Sequence, residues 1–203
     1  MRIVLLSGMD LCGKTTIAKC ISERSANVVV RKKFLTTFDP LKEIRNNRYK
    51  NHMPMNDWAA WWVKAVEDDL NYYYTEINKE HKYTNSIHIQ DSLSAFKHYA
   101  IIKSHANHIE YPNIVRLENK LKCYPEMISI YLTTDYQERK RRYLLREMKG
   151  EISHTDKFVL SRPAFEQIEQ EYSQIICKCF PKTVFIDTTQ ASIEDIATKI
   201  HIY

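Results

Sequence analysis

A chain of 203 residues, 44% hydrophobic and 27% charged, is long enough for one ordinary globular domain with a sizeable core. Its formal charge of +5 suits an anionic ligand but is too small to argue for nucleic acid by itself, and no run of about eighteen apolar residues offers a membrane span. Five cysteines, odd in number and without paired C-x-x-C spacing, argue against both a disulfide framework and a zinc site.

The chain opens on Arg2-Ile3-Val4-Leu5-Leu6, a short apolar run that reads as a buried parallel strand. It is too short for the apolar core of an export signal, so a cytoplasmic location is expected. Gly8-Met9-Asp10-Leu11-Cys12-Gly13-Lys14-Thr15 follows, fitting G-x-x-x-x-G-K-[ST] and using two of the chain's three glycines. Thr15-Thr16-Ile17-Ala18-Lys19-Cys20-Ile21 then has the apolar spacing of a helix start. Strand, glycine loop and helix N-terminus together suit a polyphosphate. Loop N–H groups and the helix dipole would cradle it, Lys14 would neutralise its outer oxygens, and the Thr15 hydroxyl would ligate Mg²⁺.

Asn27-Val28-Val29-Val30 predicts a second strand, followed by the basic triplet Arg31-Lys32-Lys33. Carboxyl ends of parallel strands are where α/β folds bind ligands, so the triplet is either site-facing or a solvated charge run. Residues 38–54 read as an irregular connection. The pattern over 56–79 is helical, with Trp58, Trp61 and Trp62 packing in a core or offering an aromatic face to a base. Asn85-Ser86-Ile87-His88-Ile89-Gln90 predicts a third strand with Asp91 at its tip, where a carboxylate can hold Mg²⁺ beside a phosphate loop. A helix is predicted over 92–108, and its histidines lack the spacing of metal ligands.

Pro125 through Leu132 predicts a fourth strand. Asp135 is placed to cap a basic helix that ends at Gly150, on which Arg142 and Arg146 share a face one turn apart. Residues 150–156 read as a flexible crossing. Arg162-Pro163 opens a helix with Phe165, Ile168, Tyr172, Ile175 and Ile176 inward, and Cys177 and Cys179 read as members of its end. Thr183-Val184-Phe185-Ile186 predicts the fifth strand, and Ser192 and Asp195 have capping-box spacing at the last helix. Strands alternating with helices imply an α/β fold with three layers, α/β/α, around a five-stranded, mostly parallel sheet. There is no internal repeat, and a single domain over 1–203 is expected.

In register, these motifs resemble the thymidylate kinase branch of the nucleoside-monophosphate and deoxynucleoside kinases. Residues 8–16 are similar to that family's G-x-D-x-x-G-K-[ST]-T loop, including the acid at Asp10. Asp91-Ser92-Leu93-Ser94-Ala95-Phe96 lies where the family has D-R-[YF]-x-x-S, and Tyr124 through Leu132 resembles its P-D-x-x-x-Y-L strand. Residues 142–158 fall where the arginine-bearing lid lies, with Asp156-Lys157-Phe158 resembling D-R-F, and Phe185-Ile186-Asp187 resembles the last strand before an adenine-side loop. Two departures stand out: Ser92 replaces the arginine that grips the acceptor's phosphate, and Leu11 stands where some members carry a loop arginine.

The resemblance implies a P-loop NTPase fold and ATP-dependent transfer of the γ-phosphoryl group to a nucleotide-like acceptor, such as a deoxynucleoside monophosphate, with Mg²⁺ as cofactor. Lys14, Asp91, Arg142 and Arg146 would carry the chemistry, the two arginines as a finger from the lid. ATP would lie on Gly8, Asp10, Leu11, Cys12, Gly13, Lys14, Thr15, Thr16, Arg142 and Thr189. The acceptor would meet Asp10, Arg31, Trp58, Trp61, Trp62, Asp91 and Ser92, and the metal Thr15 and Asp91. Ser92 keeps open an unphosphorylated nucleoside or a small hydroxylated metabolite as acceptor, and a non-catalytic NTP-binding protein is the rival class. A switch GTPase would show N-K-x-D, whereas Asn119-Lys120-Leu121-Lys122 lacks the final acid. The expected partners are ATP and a small-molecule acceptor, with neither nucleic acid nor membrane, and a homodimer is left open.

Overall fold

A computed structural model of the chain describes residues 2–31, 87–91, 127–152 and 155–202. Five strands, β1 (Arg2–Ser7), β2 (Val28–Arg31), β3 (Ile87–Asp91), β4 (Met127–Thr133) and β5 (Val184–Asp187), form one sheet in the order β2-β3-β1-β4-β5. Every neighbouring pair is parallel. Parallel pairing forces each connection to cross a face of the sheet, so helices cover it. Among the described residues these are α1 (Lys14–Arg24), α2 (Tyr136–Met148), α3 (Arg162–Cys179) and α4 (Ile193–Ile202).

The pleat divides the core. Val4 and Leu6 of β1, Ile130 and Leu132 of β4 and Ile186 of β5 pack with Ile17 and Ile21 of α1 and Ile196 and Ile200 of α4. The alternate positions Ser7 and Tyr131 lie paired across β1 and β4 on the other face. There the Tyr131 ring meets Tyr172 of α3 edge-on at 5.5 Å and Phe185 at 5.4 Å. The inward residues expected for α3, namely Phe165, Ile168, Tyr172, Ile175 and Ile176, are all buried.

Local chemistry sets the element ends. The Asp135 carboxylate accepts the Glu138 N–H at 2.9 Å and caps α2, a contact of about 1 kcal/mol. Gly150 closes the same helix at φ 69°, its N–H donating to the Glu147 carbonyl at 3.0 Å. At α4 the expected capping contact forms, with the Ser192 hydroxyl accepting the Asp195 N–H at 3.0 Å. The predicted featureless crossing over 150–156 is only part of the picture. Thr155–Leu160 forms a short 3₁₀-helix that buries Asp156 and Val159 to 1% exposure each, an ordering that no apolar periodicity announces. The helix expected over 56–79, that over 92–108 and the connection over 38–54 lie outside the described residues.

β1 is central, with β3 on one side and β4 on the other: β2 and β3 build one half of the sheet before the chain crosses to β4 and β5 on the other. Ligands of open α/β sheets bind in the crevice beyond the carboxyl ends at such a point. The Gly8–Lys14 loop begins there.

Candidate functional site

Strand β1 ends at Ser7 and helix α1 begins at Lys14, so the glycine loop spans six residues between a buried strand and a helix N-terminus. Three of its residues take a positive φ: Gly8 at 132°, Leu11 at 69° and Gly13 at 91°. Gly8 has no alternative, because a Cβ there would stand 2.4 Å from the Leu132 carbonyl oxygen of β4. Gly13 occupies the N-cap of α1 and has no side chain with which to cap it. No N-cap side chain closes over the first turn of α1, the positive end of the helix dipole, which favours an anion.

The carbonyls of Gly8, Met9, Leu11, Cys12 and Gly13 each turn to a cation, a hydroxyl or the helix. The Lys14 ammonium, itself buried, donates to the carbonyls of Gly8 and Met9 at 2.9 Å each and approaches the Cys12 sulfur at 3.6 Å. The Leu11 carbonyl accepts from Arg142 Nη1 at 2.9 Å. The Cys12 carbonyl lies 3.1 Å from the Thr188 hydroxyl, and the Gly13 carbonyl accepts the Ile17 N–H at 2.9 Å within α1. Thr15 and Thr16 sit exposed on the first turn of α1, and Asp10 is half-buried.

Beside the loop, α1, α2 and the turn after β5 enclose a cleft of about 560 Å³. Its walls join Gly13, Thr16 and Ile17 to Glu138, Arg142, Leu145 and Arg146 of α2 and to residues 188–193. Leu145 and Ile193 are 45% and 40% exposed, which gives the cleft apolar surface beside its guanidinium groups. A polyphosphate with a flat aromatic base matches this combination of loop N–H groups, cations and apolar wall.

Arg142 and Arg146 of α2 are engaged within the protein. Arg142 donates to Leu11 and, through Nη2, to the Thr188 carbonyl at 2.8 Å, while Nε donates to the Glu138 carboxylate at 2.8 Å. Arg146 reaches the buried Asp156 carboxylate at 3.3 Å. Glu138 also accepts two bonds from Arg141, and those bonds, joined by the Arg142 contacts, hold its carboxyl down to about 2 despite the opposing effect of burial. The Thr189 hydroxyl is likewise occupied, donating to Asp187 at 2.6 Å and accepting the Asp135 N–H at 2.9 Å. Those Thr189 contacts hold the Asp187 carboxyl below its usual range.

A family model described as the AAA domain matches residues 4–171, most of the chain and all of the loop. The chain belongs to the AAA domain family. Among curated proteins no sequence match is found. Solved structures similar to this AAA domain protein include three kinases. A thymidylate kinase from Candida albicans is 14% identical, covers 99% of this chain and 89% of its own, and has a TM-score of 0.59. A thymidylate kinase from Ehrlichia chaffeensis is 14% identical, with 99% and 97% covered and a TM-score of 0.60. The deoxyadenosine kinase of M. mycoides, solved with bound dATP, is 13% identical, with 98% and 97% covered and a TM-score of 0.58. These likenesses establish the fold, and the motif resemblance to the thymidylate kinase-like branch agrees with it.

Arg31, expected to follow the second strand, is the last residue of β2 and pairs in register with Gln90. Asp91 is the last residue of β3 and pairs with Leu6, two positions before the loop begins. Trp58, Trp61, Trp62 and Ser92 lie outside the described residues. Glu138 and Thr188 line the site and were not read from the sequence. The i,i+4 spacing of Glu138 and Arg142 is a legible signal for the first. Thr188 gave none. Among the described residues no helix is long and apolar enough to cross a membrane.

Proposed function

We propose that this AAA domain protein is a P-loop phosphotransferase that moves the γ-phosphoryl group of ATP to a small nucleotide-like or nucleoside-like hydroxyl acceptor, acting as a single domain. The observation that carries the reading is the loop itself: a helix N-terminus with glycine at its N-cap and Lys14 drawn over the Gly8 and Met9 carbonyls, opening on a cleft of about 560 Å³. The kinase fold shared with the thymidylate and deoxyadenosine kinases supports the reaction class.

In phosphoryl transfer the protein has little covalent work to do. It must hold donor and acceptor in line and neutralise the charge on the transferring group. Loop N–H groups and the α1 dipole would take the β- and γ-phosphates, and Lys14 would exchange its contacts with loop carbonyls for phosphate oxygens. The base would lie in the cleft against Leu145 and Ile193. Arg146, which lines the cleft and is 44% exposed as a side chain, would turn from Asp156 toward phosphate.

Mg²⁺ takes oxygen ligands and keeps several waters, so two protein oxygens beside a polyphosphate suffice to bind it. Thr15, exposed on the first turn of α1, and Asp91, at the tip of the strand paired to β1, are the residues that would hold it. When bound it would draw charge from the β- and γ-oxygens.

The acceptor would meet Asp10, Arg31, Asp91, Ser92, Trp58, Trp61 and Trp62. Ser92 offers one neutral hydroxyl where the family arginine offers a charged fork, which favours an acceptor bound differently from thymidine monophosphate or lacking a phosphate. The test is a screen of ATP consumption across nucleosides, their monophosphates and small hydroxylated metabolites. Stoichiometric ADP and a phosphorylated product with one class supports the reading, and ATP binding without turnover on any of them overturns it in favour of a non-catalytic nucleotide binder.

A further inference from the structure

The sequence points to Arg142 as a residue that acts on phosphate. Its surroundings suggest another task. All three nitrogens of its guanidinium are committed: Nη1 to the Leu11 carbonyl, Nη2 to the Thr188 carbonyl, and Nε to Glu138. Nη1 also lies 3.4 Å from the Thr188 hydroxyl, the group beside the Cys12 carbonyl. One side chain from α2 thereby joins the phosphate loop to the turn after β5, over separations of 131 and 46 residues.

The loop residue it grips is the one that most needs holding. Leu11 is a non-glycine residue at φ 69°, a left-handed backbone that costs about 1–2 kcal/mol for an L-residue with a Cβ. A trans peptide is planar, with its C=O and the next N–H pointing in opposite directions. Fixing the Leu11 carbonyl on Arg142 therefore turns the Cys12 N–H the other way. Fixing the Cys12 carbonyl beside Thr188 does the same for the Gly13 N–H. Both N–H groups belong to the phosphate loop, at the entrance to α1.

We propose that Arg142 is a positioning residue, an outer brace that works with Thr188 to hold the Leu11 and Cys12 peptide planes in the phosphate-binding orientation before any ligand arrives. Glu138 fixes the brace from behind, since it binds Arg142 Nε and is itself anchored by two bonds from Arg141. The arginine thus acts on phosphate through the loop backbone rather than by contact. This inference deepens the phosphotransferase reading and rests on it for what the loop binds, though not for how the loop is held.

Two readouts on Arg142→Ala, Arg142→Lys and Thr188→Val test it. In ligand-free protein, hydrogen exchange of the segment 8–13 should quicken at least tenfold in Arg142→Ala while β4 stays protected, because losing charged hydrogen bonds frees the strained peptide. ADP affinity, measured by calorimetry, should fall about ten- to hundredfold in Arg142→Ala, matching the loss in kcat/KM for ATP. Thr188→Val, which keeps the side-chain shape, should move both readouts in the same direction by less, and Arg142→Lys should recover part of each. An arginine that touches phosphate only in the transition state would leave loop exchange and ADP affinity at wild-type values while kcat drops, and that result overturns the brace. If no acceptor is phosphorylated, or ADP does not bind the wild-type protein, the functional reading fails, and the exchange of segment 8–13 still decides the brace.

Discussion

Gly8 and Gly150 both take positive φ, at 132° and 69°, yet alanine should cost very different amounts at the two. At Gly8 an added Cβ would lie 2.4 Å from the Leu132 carbonyl oxygen and 2.9 Å from the Cys12 sulfur. The first neighbour is backbone of the central sheet and cannot swing aside. A φ near 132° is itself closed to L-residues, worth about 1–3 kcal/mol, and overpacking against fixed atoms adds a further 1–3 kcal/mol, roughly. At Gly150 nothing stands within 4 Å of an added Cβ, so only the left-handed conformation is charged, about 1–2 kcal/mol. With a urea m-value of about 2 kcal/mol/M, Gly8→Ala should lower the unfolding midpoint by roughly 1–3 M and Gly150→Ala by less than about 1 M. Equilibrium urea unfolding followed by circular dichroism measures both. Equal midpoints for the two variants, or a larger fall for Gly150→Ala, would refute the placement of Gly8 against β4.

Arg139 is fully buried, donating through Nε to the Thr134 carbonyl at 2.8 Å and through Nη2 to Glu169, with its guanidinium 4.5 Å from the Phe165 ring centroid. Burial pushes the Glu169 carboxyl up in spite of Arg139, so the pair is costly to hold and costlier to break. Arg139→Ala should destabilise by about 3 kcal/mol, with much of that recovered in Arg139→Met/Glu169→Gln; a urea midpoint unchanged in the single variant would contradict the pairing. Glu138 has a folded pKa of about 2 against an ordinary 4.5, so its contribution to stability is whole above about pH 4.5 and drains away as the pH falls toward 2. Glu138→Gln should flatten the acid limb of the stability–pH curve, and a limb as steep as the wild type's would show that other carboxylates set it.

What the sequence made legible was local. The glycine loop, its flanking strand and helix, the Asp135 cap and the Ser192–Asp195 contact each lie within a few residues, where spacing and residue type decide the geometry. Strand ends moved by one or two positions, as with Arg31, which finishes β2 rather than following it. The apolar face of α3 was likewise readable because burial and helical period coincide. The brace was not readable. It needs the φ of Leu11, which no side-chain pattern encodes, and it joins residues 11, 142 and 188, which only the order of the parallel strands brings together. Asp156 looked like part of a polar crossing because a single buried carboxylate in a 3₁₀-turn leaves no periodic trace. Thr189, expected to meet ATP, has a hydroxyl bonded to Asp187 and Asp135, a pairing set by the turn rather than by residue type.

Lys14 carries the central claim most directly, since its ammonium lies over the loop carbonyls where a phosphate would approach. Transfer of label from [γ-³²P]ATP to the acceptor that the consumption screen identifies, compared between wild type and Lys14→Met, tests it. The expected result is label on the acceptor with wild type, and a loss on the order of 10²-fold or more in rate with a Lys14→Met variant whose circular dichroism is native. A folded Lys14→Met protein that transfers label at the wild-type rate would contradict the assignment of this loop to phosphoryl transfer.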